Sequence, residues 1–295
     1  MQEHLPVPIT CLLCEAPAKK LLTTTNGGVG PRENFDVYRC IKCFSTVINP
    51  IPANLGSYYL DYHWIPKGLS WKRAVKACKN RLGVVNRHVN VSASILDVGA
   101  GSGAFVAAST ENGHLSSAIE QDENCRKNIE EFMPGRVVED LLAYDTKSCG
   151  VPDVITLWHV FEHIPDPSDF LAQVSRIFPA TTKMIIEVPN AESWLFRMMG
   201  SKWPHLDAPR HVFLPSKLGI EYVAQKNGMR VSRIHNRDNA AWGAFSLSHI
   251  GSRVGEGRLV QITRRIVQIL FTPIFLLESG ERSTTSTYLL TRDPE

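Results

Sequence analysis

The chain has 295 residues, 43% of them hydrophobic and 21% charged, with 32 Lys and Arg against 29 Asp and Glu. That balance excludes a disordered chain and describes a globular protein of one or two domains, and a formal net charge of +3 gives no broad electrostatic drive toward nucleic acid. Seven cysteines, an odd number, exclude a fully paired secreted framework and point to a reducing, cytoplasmic setting.

Residues 1–50 stand apart from the rest. The start, MQEHLPVPITC, has neither the basic region nor the apolar stretch of a signal peptide. Two CxxC pairs follow, Cys11 and Cys14 in CLLC and Cys40 and Cys43 in CIKC. Between and after them lie a Gly-rich turn, Asn26–Gly30, and strand-like runs at Phe35–Arg39 and Ser45–Ile48. Two spaced CxxC pairs suit four thiolates arranged tetrahedrally around a structural zinc ion, whereas a redox CxxC usually stands alone at a helix start. Such an ion would fold a segment too small for a core of its own. Cys78, Cys125 and Cys149 are scattered and have no assigned task.

Residues 51–92 read as a connecting segment, with aromatics at Tyr58, Tyr59, Tyr62 and Trp64 and a basic helix-like stretch from Trp71 to Arg81. From residue 93 to 236, short apolar runs alternate with amphipathic ones, the pattern of βα units. Strands are predicted at Ser94–Val98, Ser116–Glu120, Arg136–Val138, Val154–Leu157, Lys183–Val188 and Met229–Ile234. Helices are predicted at Ala104–Asn112, Glu123–Phe132, Ser168–Phe178 and Ser216–Asn227, two of them ended by Gly113 and Gly228. Residues 237–295 form a C-terminal extension with a last strand at Thr285–Leu290. Its apolar window, Ile266–Leu277, falls short of the ~20 residues of a membrane span. Arg264 and Arg265 just ahead leave peripheral membrane contact by 264–277 open, beside the plainer reading of a buried helix. The whole describes an α/β fold, a doubly wound and mostly parallel sheet behind a small metal-held module.

The strongest local motif is Ile95–Val106, ILDVGAGSGAFV: a strand ending in Asp97, then Gly99, Gly101 and Gly103 before a helix. Glycines at such a turn let backbone approach a ligand. Gly99, Gly101 and Ala104 satisfy the looser dinucleotide fingerprint. However, a carboxylate two residues before the first glycine would repel a pyrophosphate and could hold an ammonium group. This acidic-GxGxG turn resembles motif I of class I S-adenosylmethionine (SAM)-dependent methyltransferases. The resemblance continues through SAIEQD, RVVEDLL, PDVITLWHVFEHIPDP and MIIEVPN, over roughly residues 93–235. It implies a Rossmann-like, seven-stranded doubly wound sheet. It also implies that Asp97, Gly99, Gly101 and Gly103 face SAM, that Glu120 grips both ribose hydroxyls, that Asp140 accepts from the adenine amino group, and that Trp158 borders the cofactor. Tyr58, Tyr59 and Tyr62 are expected as part of a lid over it.

A further run, WPHLDAPRHVFL from Trp203 to Leu214, resembles a set of bacterial SAM-dependent methyltransferases, many of them acting on sugars, polysaccharides or small metabolites. It makes Arg210 and His211 pocket candidates, beside the plainer reading of loop residues that hold helix ends. His159 and His163, four apart, would share one face of a helical turn, but the HExxH order of a metal site is absent. Either histidine, or His211, is a candidate base for a hydroxyl or a carbon acid; packing or capping is the competing role. The expected function is therefore SAM-dependent methyl transfer to a small metabolite, such as a sugar or a cell-surface polysaccharide precursor, by in-line displacement. An RNA or protein methyltransferase with the ribbon as clamp is the alternative, although the Asn/Asp-Pro-Pro-aromatic tetrad is replaced by Leu157-Trp158-His159-Val160. A non-catalytic SAM-fold binding protein is a third reading.

Overall fold

The computed structural model describes residues 8–26, 33–59, 65–234, 266 and 283–293. Most of Asn26–Gly30, Tyr62, Trp64 and the apolar window beyond Ile266 lie outside these residues. Strands β1 (Ala18–Thr25), β2 (Asn34–Cys40) and β3 (Thr46–Asn49) form an antiparallel meander. In β2 the buried Phe35 and Val37 alternate with more exposed neighbours, the period of a strand with one face on a core. β1 carries two lysines and three threonines and was not predicted; only Thr24 is buried. The stretch Trp71–Arg81 is two helices, α1 (Leu69–Ala77) and α2 (Lys79–Val85), joined at Cys78.

The core then runs β4 (Ser94–Val98), α3 (Ala104–Glu111), β5 (Leu115–Ile119), α4 (Glu123–Phe132), β6 (Val137–Val138), α5 (Thr146–Cys149), β7 (Val154–Trp158), α6 (Pro167–Ile177), β8 (Lys183–Pro189), α7 (Trp194–Met199), β9 (Phe213–Leu214), α8 (Lys217–Lys226), β10 (Arg230–Ile234) and β11 (Thr285–Thr291). Side chains cap the helices as their sequences require: Asp122 accepts from Cys125 N, Asp166 from Asp169 N, and Ser216 from Gly219 N. The short helix α7 and the two-residue β9 were not predicted.

Seven strands form one sheet in the order β10-β11-β8-β7-β4-β5-β6. β4 to β8 are parallel, while β11 runs antiparallel to both of its neighbours. β7 is buried along its whole length and β8 nearly so, as in a sheet covered on both faces. Strand order reverses between β4 and β7, and ligands of open α/β sheets bind beyond the carboxyl ends of the strands at that point.

The N-terminal strands do not stand alone. β9 completes their sheet by pairing with β3, Thr46 opposite Leu214 and Val47 opposite Phe213. Behind this pair, Ser45 Oγ accepts from Ser216 N at 3.0 Å, and Ser216 Oγ donates to the Cys43 carbonyl. Gly219, one turn into α8, leaves the room for this contact: a Cβ there would lie 2.1 Å from Ser45 Oγ and 2.7 Å from Leu13 Cδ1. Gly219→Ala should therefore lower stability by about 1–3 kcal/mol, the usual cost of overpacking. Urea unfolding checks it; an unchanged midpoint would show that the two parts separate without cost.

Candidate functional site

The four paired cysteines meet in space. Their sulfurs all lie within 4.8 Å of one another, with Cys11 and Cys43 3.5 Å apart and Cys14 and Cys40 3.4 Å apart. Thiolates bound to zinc at 2.3 Å stand about 3.8 Å apart in a tetrahedron, so the donor set fits that ion in number, chemistry and spacing. The two CxxC loops repeat one geometry. Cys11 N donates to the Ala16 carbonyl and Cys40 N to the Ser45 carbonyl, each closing its loop. Each pair is followed by a left-handed residue, Glu15 at φ 60° and Phe44 at φ 64°. Lys42 N and Cys43 N also point at Cys40 Sγ, at 3.3 and 3.4 Å.

At the switch point of the large sheet, the acidic-glycine turn has the form its sequence predicts. Gly99, at φ +68°, faces the Val160 side chain, which a Cβ would approach to 2.6 Å; Gly103, at φ +81°, opens α3, and a Cβ there would come within 2.6 Å of Ile129 Cγ1. Around Gly101 a Cβ would meet nothing within 4 Å. Asp97, fully buried in β4, accepts from Thr156 Oγ1 at 2.7 Å. Burial pushes its carboxyl up to about 7, against the pull of Thr156 and of Arg81. Glu120, just past β5, accepts from Gly101 N at 2.6 Å and from Asp122 N at 2.8 Å. The structure thus brings Asp97, the glycines and Glu120 to one turn. Trp158 ends β7 with its ring 5.3 Å from Phe105 and the Arg81 guanidinium 5.2 Å above it. Asp140 is exposed beyond β6, where its Oδ1 accepts from Ala143 N.

Of the aromatics expected in a lid, Tyr58 and Tyr59 are among the described residues. Tyr58 packs on Phe35 of the N-terminal sheet and donates to Glu33. Tyr59 reaches His163, its hydroxyl 2.7 Å from Nδ1.

The histidines gather next to Trp158, though not on a helical face. His159 follows β7 in a left-handed conformation, φ 59°, and only Phe161–His163 form a 3₁₀ turn. This bend sends His159 between two fully buried carboxylates, with Nδ1 3.3 Å from Glu162 Oε1 and Nε2 3.4 Å from Glu187 Oε1. Burial opposes its charge, but the two carboxylates prevail and raise it to about 9. His159 is therefore an imidazolium at neutral pH, and Glu187 is held down to about 2 despite its burial. Arg81 Nη2 and Thr287 Oγ1 also serve Glu187, at 3.4 and 3.1 Å. His211 is the opposite case: burial first, then the nearby His163, keep it well below the usual histidine range and hence neutral. Its ring meets that of His163 edge-on at 4.6 Å. Arg210 forks onto Asp207 at 2.6 and 3.0 Å, and so shapes the loop that offers its own carbonyl to His163. Glu162 and Glu187 were not singled out from the sequence; a glutamate inside the apolar run MIIEVP was the available signal.

The match to known proteins follows this geometry. The model of the family described as methyltransferase domain matches residues 72–233, more than half of the chain. The ubiquinone biosynthesis O-methyltransferase of Idiomarina loihiensis is 26% identical over 149 residues, covering 47% of this chain and 61% of that protein. The one from Thiobacillus denitrificans is 26% identical over 117 residues, covering 37% of this chain and 50% of that protein. The chain thus spans between half and two thirds of the length of these curated relatives. A SAM-dependent methyltransferase structure from Archaeoglobus fulgidus aligns with a TM-score of 0.44 at 16% identity, covering 74% of this chain and 94% of that one. With its acidic-glycine turn at the switch point of a seven-stranded sheet, the chain belongs to the methyltransferase-domain family and has the class I SAM-dependent methyltransferase fold.

Proposed function

We propose that this chain transfers the methyl group of SAM to a hydroxyl oxygen of a small-molecule acceptor. The observation that carries this reading is the convergence of Asp97 and Glu120 on the glycine turn, in a chain of this family. Asp97 would hold the ammonium group of SAM and Glu120 its two ribose hydroxyls, with the backbone of 99–103 and Trp158 alongside and Asp140 toward the adenine. SAM supplies a sulfonium-bound methyl group for in-line displacement, so the protein's main contributions are alignment and exclusion of water. The histidine cluster favours a hydroxyl acceptor, as does the O-methylation in the names of the relatives. His211 is neutral and suited to receive the acceptor's proton, with His163 beside it, whereas His159 enters as a fixed cation. In this reading the four thiolates hold a structural zinc ion, and residues 51–92 join the ribbon to the core of 93–236. Among the described residues no helix is long and apolar enough to cross a membrane.

Labelled-methyl transfer to a panel of phenols and sugar nucleotides tests the proposal. Label in a methyl ether supports it; label only in amines or on carbon overturns it. Proton linkage supplies a second test. The ammonium group needs Asp97 as carboxylate, and its folded value of about 7 makes that form scarce below neutrality. Affinity for SAM should therefore fall roughly tenfold from pH 8 to pH 6. Titration calorimetry reads this, and Asp97→Asn should flatten the profile.

A further inference from the structure

The polar cluster beside Trp158 holds more than a base requires. One donor atom each from Glu162, His163 and His211 lies within 4.8 Å of the other two. Hydrogen bonding fixes which nitrogens are available. His163 Nδ1 lies 2.9 Å from the Arg210 carbonyl and 2.7 Å from the Tyr59 hydroxyl; the carbonyl can only accept, so Nδ1 carries a proton that it shares with the tyrosine oxygen, and His211 Nδ1, 2.7 Å from the His205 carbonyl, carries one too. In each neutral ring the lone pair then sits on Nε2. Donation of the far ring N–H to a carbonyl is how proteins orient histidines that bind metal. Glu162 is completely buried, with His159 at Oε1 and no hydrogen-bond partner at Oε2. His211 Nε2 is 3.8 Å from Glu162 Oε1. That is too long for a hydrogen bond, yet near the roughly 3.4 Å between ligands placed at 2.0–2.1 Å around one tetrahedral ion.

We propose that Glu162, His163 and His211 bind a divalent transition-metal ion, separate from the four-cysteine centre. Two imidazoles and one carboxylate suit zinc, iron or cobalt rather than magnesium or calcium. His159 and, behind it, Glu187 and Arg81 form the shell that positions Glu162. The HExxH order is missing because the ligands come from two segments: Glu162 and His163 from the turn after β7, His211 from the loop before β9. With an ion bound, His163 and His211 would be ligands and not bases; an acceptor hydroxyl that joined the ion would become more acidic and lose its proton to water, in place of the transfer to His211. Only that last role rests on the proposed O-methyl transfer; the ion site does not.

The test titrates cobalt(II) into the full chain after it has been loaded with one equivalent of zinc. One further equivalent is expected, with weak d–d absorption and no thiolate charge-transfer band. Glu162→Gln and His211→Asn should each weaken that uptake at least tenfold, while both variants still bind the demethylated product of SAM, which shows that they fold. No uptake beyond the cysteine centre, or uptake unchanged in both folded variants, overturns the site. Methyl transfer to hydroxyls by a chain that takes up no second ion removes this inference and leaves the functional reading. Uptake lost in the variants, in a chain that methylates no hydroxyl, does the reverse.

Discussion

Asp97→Ala and Glu120→Ala should each weaken binding of SAM and of its demethylated product by roughly ten- to hundredfold, the range for losing a charge-assisted hydrogen bond of about 1.5–3 kcal/mol. The two losses differ in kind. Asp97 is buried, with Thr156 Oγ1 donating to it, so its removal takes away the negative charge that an ammonium group would meet. Asp97→Asn, of equal size, separates that charge from the packing. Glu120 already holds the turn through Gly101 N and Asp122 N. Its alanine variant loses both that brace and a paired acceptor for two neighbouring hydroxyls. Glu120→Gln keeps one carbonyl acceptor and should fall between wild type and alanine. Calorimetry on samples with a native melting transition decides the matter. Wild-type affinity in both folded alanine variants would remove the SAM site from this turn.

Stripping the four-cysteine centre with a chelator, or replacing Cys40 by alanine, should cost about 3 kcal/mol or more, since structural zinc contributes its binding energy to folding. For a chain of this size that is a melting point lower by roughly 6–12 °C. The loss should spread beyond the ribbon. Ile48 N donates to the Val212 carbonyl and Val212 N to the Glu162 carbonyl, both within 3.0 Å, so β3 is two hydrogen bonds from the histidine cluster. Hydrogen exchange should therefore quicken in 210–216 as well as in 10–50. Protection that persists at 210–216 after the metal is removed would show that the core carries that loop unaided.

Much of the fold was legible because period and punctuation agree. β4 and α4 fall on their predicted residues, and the other predicted core strands and helices shift only by a residue or two at their ends. The glycine turn and the two CxxC pairs were legible for a different reason: each is local, and its spacing alone dictates its geometry. What was missed depends on distant partners. β9 is two residues long and exists only because β3 lies beside it. Glu187 is one charge in an apolar strand, and its role becomes visible only when His159 bends back onto it. The expectation that His159 and His163 share a helical face failed because the left-handed φ of His159 ends the strand before the turn begins.

The shared sheet of β3 and β9 also bears on how the molecule reaches working order. Ser45 and Ser216, which lock that sheet to α8, are 171 positions apart. The parallel strands and the glycine turn lie in the other sheet, whereas the loop that carries Arg210 and His211 has the ribbon strand β3 as its backing. If the four thiolates hold zinc and His211 serves the acceptor, as proposed, loss of the ion should disturb the acceptor side more than the glycine turn.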